Sequence, residues 1–404
     1  MKPLEIKPGV FWVGAIDWGV RDFHGYVTPR GTTYNNYLVL DEHITLVDTV
    51  KHDFKHETLE HIREVVDPSK IVNVVVNHIE ADHVSSLDSV MEYCPNATIY
   101  ITQKGKDGLA RHFDISRWKI KVVKTGDTLN TGTKTLTFLE TPMLHWPDSM
   151  MTYIPEDKLL ISQDAFGQHI ATANRFDDQF VACASVSELD DAVVDYYANI
   201  LMPFGALIKA KLAEVAKLGI EIDMIAPDHG VIWRTNVAKI LQTYNGLASG
   251  RADCSVAIVY DTMWKSTELM TLPLMQGITE EGLDCKVIKL RATPMSVAIK
   301  EFWKSRGTLI GSPTLNNIVY PSVAEYLTHL RGLRPKNRLV GAFGSFGWGG
   351  GAVKDMYKEF ELMKLESFGQ GVEVKYRPSE EDKEKCYEFG REFAKAVREY
   401  DKKF

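Results

Sequence analysis

From residue 251 to the end of the chain, short β-branched runs alternate with stretches of helical period, and few folds accommodate that order. Strands are expected over residues 256–260, 286–290, 308–311, 339–343 and 372–375, with helices between them and a last amphipathic helix over about 380–400. Parallel neighbours need a crossover segment, so this alternation predicts a small doubly wound parallel sheet. Ligands of such sheets bind at the carboxyl ends of the strands. Three loops leave those ends. The first is Asp261-Thr262-Met263-Trp264-Lys265-Ser266-Thr267, the second Ser312-Pro313-Thr314-Leu315-Asn316-Asn317, and the third Gly344-Ser345-Phe346-Gly347-Trp348-Gly349-Gly350-Gly351.

Hydroxyls at the start of a helix suit a phosphate, because unpaired backbone N–H groups and the helix dipole favour an anion there. Aromatic and glycine-rich loops suit a flat ring. Together they describe a flavin mononucleotide pocket, and residues 251–404 resemble the flavodoxins, with the three loops matched in order. The resemblance implies that Thr262, Ser266 and Thr267 hold the phosphate and that Thr314 and Asn316 lie near the ring. Trp264 and Trp348 are the candidates to pack against it. Met263, Pro313, Leu315, Ser345, Phe346, Gly347, Gly349 and Gly350 complete the expected lining. Gly347 to Ala352 also satisfies a G-x-G-x-x-A dinucleotide pattern, but it follows the fourth strand rather than the first. No convincing acidic residue closes a later strand, so NAD is rejected.

The first 250 residues have another texture. A hairpin is expected over 36–40 and 44–48, a helix over 54–66, and strands over 71–76, 135–139, 151–154, 158–162 and 222–225. Two layers of sheet with a site on the loops of one edge follow from this pattern. The strand over 71–76 runs into His78-Ile79-Glu80-Ala81-Asp82-His83. His145, Asp164 and His229 each lie just beyond a further expected strand. Seven potential ligands from four strand ends suffice for two metal ions.

Order and spacing over residues 1–250 resemble the metallo-β-lactamase superfamily, whose hydrolases carry H-x-H-x-D-H and usually zinc. Here Glu80 stands where the second histidine would be. A more anionic, oxygen-rich shell suits harder ions and higher oxidation states. The chain as a whole, with H-x-E-x-D-H joined to a flavodoxin-like domain, resembles the flavodiiron proteins, reductases of dioxygen or nitric oxide. The fold class expected is α/β: a metallo-β-lactamase-like αββα sandwich over 1–250, then a flavodoxin-like doubly wound sheet over 251–404. The resemblance implies that His78, Glu80 and His145 hold one iron, Asp82, His83 and His229 the other, and that Asp164 bridges them. It also places His24 beside the irons. His169 follows Asp164 by five residues and could orient it, and Tyr196 and Tyr197 are weaker candidates near the centre. Asp48 and Asp228 read as structural, and His43, His52, His56, His61 and His112 as solvent-exposed.

The remaining expectations concern partners. The family resemblance implies a head-to-tail homodimer, or a dimer of dimers, in which the flavin of one subunit faces the irons of the other. With no C-x-x-C pair, no appended rubredoxin is expected and the donor is expected to be external: reduced coenzyme F-420, by resemblance to the methanogen type, or a separate rubredoxin. A formal charge of −7 argues against nucleic acid as the main partner. Five scattered cysteines fit a reducing cytoplasm, and no run is long enough to span a membrane. The rival readings are a zinc hydrolase fused to a flavodoxin and a metal-free binding module. Of the 12 histidines, 11 lie in the first 250 residues, which is where a metal site would be built.

Overall fold

The computed structural model describes residues 2–217 and 219–404 and contains two compact units. The first comprises Met1–Phe23, Thr28–Tyr196 and Ala206–Asn245. The second comprises Gly246–Phe404 together with the short segments His24–Val27 and Tyr197–Gly205.

Among the described residues, two large sheets frame the first unit, with a small ribbon of Ala15–Asp17 paired on Thr32–Tyr34 beside them. One has the spatial order Leu4–Lys7, Val10–Trp12, Tyr37–Val39, Thr45–Val47, Asn73–Val76, Thr98–Ile101, Lys119–Val122, antiparallel up to Thr45–Val47 and parallel beyond it. The other runs Thr128–Asn130, Thr135–Glu140, Met150–Ile154, Leu159–Gln163, Met224–Pro227, with only the last pair parallel. Val75, Tyr37 and Val47 of the first sheet share a core with Phe138, Ile154 and Ile161 of the second. Val74 and Val76 point the other way, onto Leu59, Ile62, Leu87 and Leu109 of the covering helices. The strand Asn73–Val76 is therefore buried on both faces, which is why its sequence is a β-branched run rather than an alternation.

His61 corrects one expectation. It is 3% exposed, its Nδ1–H donates to the Gly14 carbonyl at 2.9 Å, and its ring lies 5.7 Å from that of Trp12. In the helix Lys55–Val65 it shares the buried face of Thr58 and Ile62, at helical spacing. His43, His52, His56 and His112 are exposed, as expected.

At the edge of the sandwich away from the histidine-bearing strand ends, Asp41 ties the sheets together. Its carboxylate accepts from Thr131 Oγ1 (2.8 Å), Thr133 N (2.9 Å) and Lys134 N (3.0 Å) in the turn of the second sheet. Partial burial opposes ionisation, but these donors outweigh it and hold the carboxyl down at about 2. Because the folded value lies below the unfolded one, the tie contributes fully above about pH 4 and is lost as pH falls through about 2. Asp41→Asn should therefore flatten the fall in stability between pH 5 and 2, measured as the urea midpoint at each pH; a variant with the wild-type slope would refute this.

The second unit is a parallel sheet in the order Cys285–Lys289, Asp253–Tyr260, Ser305–Leu315, Leu339–Phe346, with Glu366–Ser367 and Val372–Lys375 both pairing on the last. Counting the last two segments as one position, the strand order is 2-1-3-4-5, with its switch point between the first and third strands. The helix Glu380–Asp401 is started by a capping box, Ser379 with Asp382, and packs on the helix Ser266–Glu280. Their backbones approach so closely that a Cβ at Gly390 would lie 2.3 Å from the Leu274 carbonyl oxygen, and one at Gly277 would lie 2.2 Å from that of Tyr387. Backbone cannot yield as a side chain can. Gly390→Ala should cost about 3 kcal/mol, the upper end of overpacking, in denaturant unfolding of the second unit; a loss of a few tenths would refute the close-contact account.

Candidate metal centre and flavin cleft

Four loops at one edge of the sandwich carry the seven predicted ligands, and the structure brings all seven together. His78, Glu80, Asp82 and His83 leave the strand Asn73–Val76, with the last two in the short helix Ala81–Val84. His145 sits in the loop before Met150–Ile154, Asp164 directly follows Leu159–Gln163, and His229 follows Met224–Pro227. Gln163 links two of these loops, its amide donating to the Leu144 carbonyl (2.5 Å) while its oxygen accepts from Asp164 N (2.7 Å).

The geometry divides at Asp164. Its Oδ2 lies 2.8 Å from His145 Nε2 and 3.5 Å from His78 Nε2, and Glu80 Oε2 is 3.2 and 3.3 Å from the same two nitrogens. Its Oδ1 lies 3.0 Å from His83 Nε2 and 3.4 Å from His229 Nε2, and Asp82 Oδ2 is 3.1 Å from each of these. One carboxylate thus faces two clusters, one through each oxygen. In the second cluster, Asp82 Oδ2, Asp164 Oδ1, His83 Nε2 and His229 Nε2 are all buried and none makes a hydrogen bond, despite their proximity. Atoms about 2.1 Å from a common first-row ion sit roughly 3.4 Å apart, which matches these spacings. Four imidazoles with three carboxylates form a hard, anionic set that fits iron.

The electrostatics agree. Burial alone would disfavour charge on His78, yet Asp148 and Glu80 lift it to about 10; His145 rises to about 8 against the same penalty, through Asp164 and Glu80. Burial would likewise raise the Asp164 carboxyl, but His83 and His145 hold it well below the usual carboxylate range. The pocket is thus a strongly cation-attracting field.

Behind the ligands stand partners that set their tautomers. His78 Nδ1 meets Asp148 Oδ2 at 3.0 Å, an oxygen that also accepts from Ile79 N. His83 Nδ1 lies 3.2 Å from Asp228 Oδ2, so Asp228, expected to be only structural, stands against a ligand. Asp48 does have a framework role, accepting from the backbone and side-chain nitrogens of Asn77 at 2.7 Å each. His229 Nδ1–H donates to the Thr33 carbonyl at 2.7 Å. His169 bonds Thr32 Oγ1 at 2.8 Å and its ring lies 4.9 Å from that of His229; the Tyr196 ring is 5.0 Å from His169. His24 and Tyr197 belong to the segments grouped with the second unit, where His24 stacks near Tyr26 and Tyr197 lies 5.8 Å from Trp303. Asp148 went unassigned in the sequence, although a carboxylate three residues after His145 in the same loop was a usable signal.

In the second unit, a cleft of about 510 Å³ opens at the carboxyl ends of the strands. It is lined by Met263, Trp264 and Ser266 from the first loop, by Pro313, Thr314, Leu315 and Asn316 from the second, and by Ser345, Phe346, Gly347, Trp348 and Gly349 from the third. Trp264 and Trp348 are 85% and 92% exposed, two indoles held in water beside a cavity. Thr262, Thr267 and Gly350 are not on the lining. Thr262 is buried, Thr267 Oγ1 bonds Ser345 Oγ at 2.8 Å and so pins the first loop to the third, and Gly350 lies near the Glu373 carboxylate. Asn317, Tyr376 and Arg377 also line the cleft; the last two follow the strand Val372–Lys375, whose carboxyl end the sequence reading left unused. The glycines of the dinucleotide-like pattern serve this cleft and its support. Gly351 has φ +150°, and a Cβ there would lie 2.1 Å from the Asn317 carbonyl oxygen. No helix among the described residues is long and apolar enough to cross a membrane.

Comparison with known proteins agrees with both units. The ODP family beta lactamase pattern matches residues 32–230, and the flavodoxin pattern matches residues 258–390. A nitric oxide reductase of Moorella thermoacetica is 45% identical over 399 residues, covering 98% of this chain and 99% of that protein. Among solved structures, the rubredoxin oxygen:oxidoreductase of Desulfovibrio gigas superposes with a TM-score of 0.96 at 40% identity, covering 99% of each chain. The flavodiiron protein of Giardia intestinalis gives 0.95 at 36% identity, covering 100% of this chain and 98% of that one.

Two substitutions separate a ligand from its support. Glu80→Ala should deplete iron with flavin content unchanged, whereas Asp148→Ala should weaken metal affinity about 10–100-fold without abolishing it. Metal analysis after dialysis against graded chelator reads both, and full iron retention in Glu80→Ala would remove that residue from the centre.

Proposed function

The chain belongs to the flavodiiron proteins, and from that premise we propose that it is an oxidoreductase that reduces dioxygen to water, drawing electrons from reduced coenzyme F-420. The observation that carries this reading is the Asp164 carboxylate, divided between two ligand clusters in a chain that also carries a flavin-sized cleft. When bound, two irons and one FMN together hold four electrons, the number that takes dioxygen to water.

The chain's own residues have these roles. His78, Glu80 and His145 would hold one iron, Asp82, His83 and His229 the other, with Asp164 between them. Three carboxylates offset the positive charge of an oxidised pair, which neutral histidines alone would not. Asp148 and Asp228 keep the Nε2 lone pairs of His78 and His83 directed at the metal positions. His78, His83 and His229 are buried, so bulk water is kept from that side of the centre. His169, hydrogen-bonded to Thr32 beside His229, is the group placed to move a proton near the second cluster. His24 and Tyr197 remain proposed members of the catalytic surroundings by family resemblance. Ser266, on the cleft's lining, is assigned to the phosphate end together with Thr262 and Thr267 behind it, and Trp264 and Trp348 to the ring.

We assign the molecule to the cytoplasm, as a head-to-tail homodimer or dimer of dimers; an active strict monomer in sedimentation would overturn that. A second reading, nitric oxide to nitrous oxide with rubredoxin as donor, is favoured by the likeness to the Moorella nitric oxide reductase and to the Desulfovibrio rubredoxin oxygen:oxidoreductase. One experiment decides among these. The anaerobic protein is offered reduced coenzyme F-420, reduced rubredoxin and NADH in turn, then mixed with dioxygen or nitric oxide. Fast flavin reduction by F-420 and water as product are expected. Reduction by rubredoxin alone, with faster turnover of nitric oxide, would establish the second reading, and zinc without iron on metal analysis would refute both.

A further inference from the structure

Beneath the first cleft loop lies an ionic node, a buried carboxylate met by a half-exposed arginine, whose members are not on the lining of that cleft. Asp261 is fully buried at the end of the strand Asp253–Tyr260, at the switch point of the sheet, where its N–H donates to the Gly311 carbonyl at 3.1 Å. A carboxylate taken out of water there is tolerable only if well paired. Arg291, in the short turn after the second strand, supplies Nε–H at 3.0 and 2.9 Å to its two oxygens. Ser322 Oγ–H and Thr262 N–H add further donors.

The node reaches the loop through Thr262. The Arg291 Nη2 group donates to the Thr262 carbonyl while Asp261 accepts from the Thr262 N–H, so both backbone polar groups of that residue are held. What is left is Thr262 Oγ1, buried and with no hydrogen bond, four residues before Ser266 opens the helix Ser266–Glu280 with its unpaired N–H groups. The node also reaches the second loop. The Arg291 guanidinium lies 5.2 Å from the centre of the Tyr320 ring, and Tyr320 N donates at 2.9 Å to Ser312 Oγ, at the root of the segment that lines the cleft.

We propose that Asp261 and Arg291 are positioning residues that preset Thr262 and the following turn for the phosphate of the flavin, and couple that turn to the loop beside the ring. This rests on the reading of the cleft as a flavin site. The node's side chains stand off the cleft's lining; their effect is to hold in place, before binding, the donors a dianion needs, so the ordering cost falls on folding rather than on binding. Its loss should therefore act on the phosphate and spare the ring.

Riboflavin, which lacks the phosphate, is the probe that separates the two. Full-length protein stripped of flavin is titrated with FMN and with riboflavin, following flavin fluorescence. Wild type should prefer FMN strongly. Arg291→Ala should lose on the order of 10-fold or more in FMN affinity, the effect of removing charge-assisted hydrogen bonds, with riboflavin affinity within about 2-fold of wild type. Ser322→Ala, which removes one donor and leaves the ion pair, should give a smaller loss of the same kind, roughly 3-fold, and guards against a folding defect in the first variant. An unchanged FMN-to-riboflavin ratio in both variants, or equal losses for the two flavins, would overturn the positioning role while leaving the flavin site standing. No preference for FMN in the wild type would overturn the flavin-phosphate reading itself, and this inference with it.

Discussion

Everything in the first unit is arranged around the cost of holding three carboxylates and four imidazoles in a nearly dry space. Asp164 has no exposed surface and shares its two oxygens between clusters. That arrangement keeps polar atoms close together without hydrogen bonds between them, which only rigid surroundings can maintain. The surroundings are rigid because the strand that delivers four of the seven groups is packed on both faces. Gln163, Asn77 and Thr33 then tie the separate loops to one another through backbone groups. Fold and site are coupled in that sense: the two-sided burial that makes the strand a β-branched run also fixes where its last residues point.

The second unit meets a different requirement. An anionic phosphate and a flat ring need no concentrated charge, only donors without competing partners and apolar surface. The loops supply helix N–H groups, hydroxyls and two exposed indoles, and the Asp261–Arg291 ion pair is placed under the loop rather than in the cleft. The near absence of histidine from this half has the same cause. A titrating imidazole offers nothing to a dianion that a backbone N–H does not offer without dependence on pH.

How much of this could be read from the chain follows from the range of the interactions. The ligands of the metal centre were legible because each lies just past a strand, so period and position coincide, and the doubly wound order was legible because β–α alternation is a local property. The edge strands Leu4–Lys7 and Lys119–Val122, and the three-residue strand Val10–Trp12 beside the first, were not, because short strands carry little period and draw their identity from neighbours. His61 was misjudged for a related reason: its partners, the Gly14 carbonyl and the Trp12 ring, lie some 50 residues away in the chain, and a polar residue on a buried helix face looks exposed until such a partner is known. Asp228 and Arg291 hid likewise, since their roles exist only through His83 and Asp261, which folding brings to them.

The substitution that sets this chain apart from the zinc hydrolases also has a structural rationale. A carboxylate in place of a neutral imidazole adds one negative charge to a site already holding two carboxylates, and in the driest position that addition would be prohibitive. Glu80 is not in the driest position. Its side chain keeps 16% exposure, against none for His78 and Asp164, and its Oε2 lies within 3.3 Å of both His78 and His145. The extra anion thus stands at the rim, where water still reaches it and two imidazoles face it, while the central anion is the one that serves both clusters at once. Charge is added where desolvation is cheapest and shared where it is most expensive, and that division allows a fold suited to zinc to hold a more anionic centre.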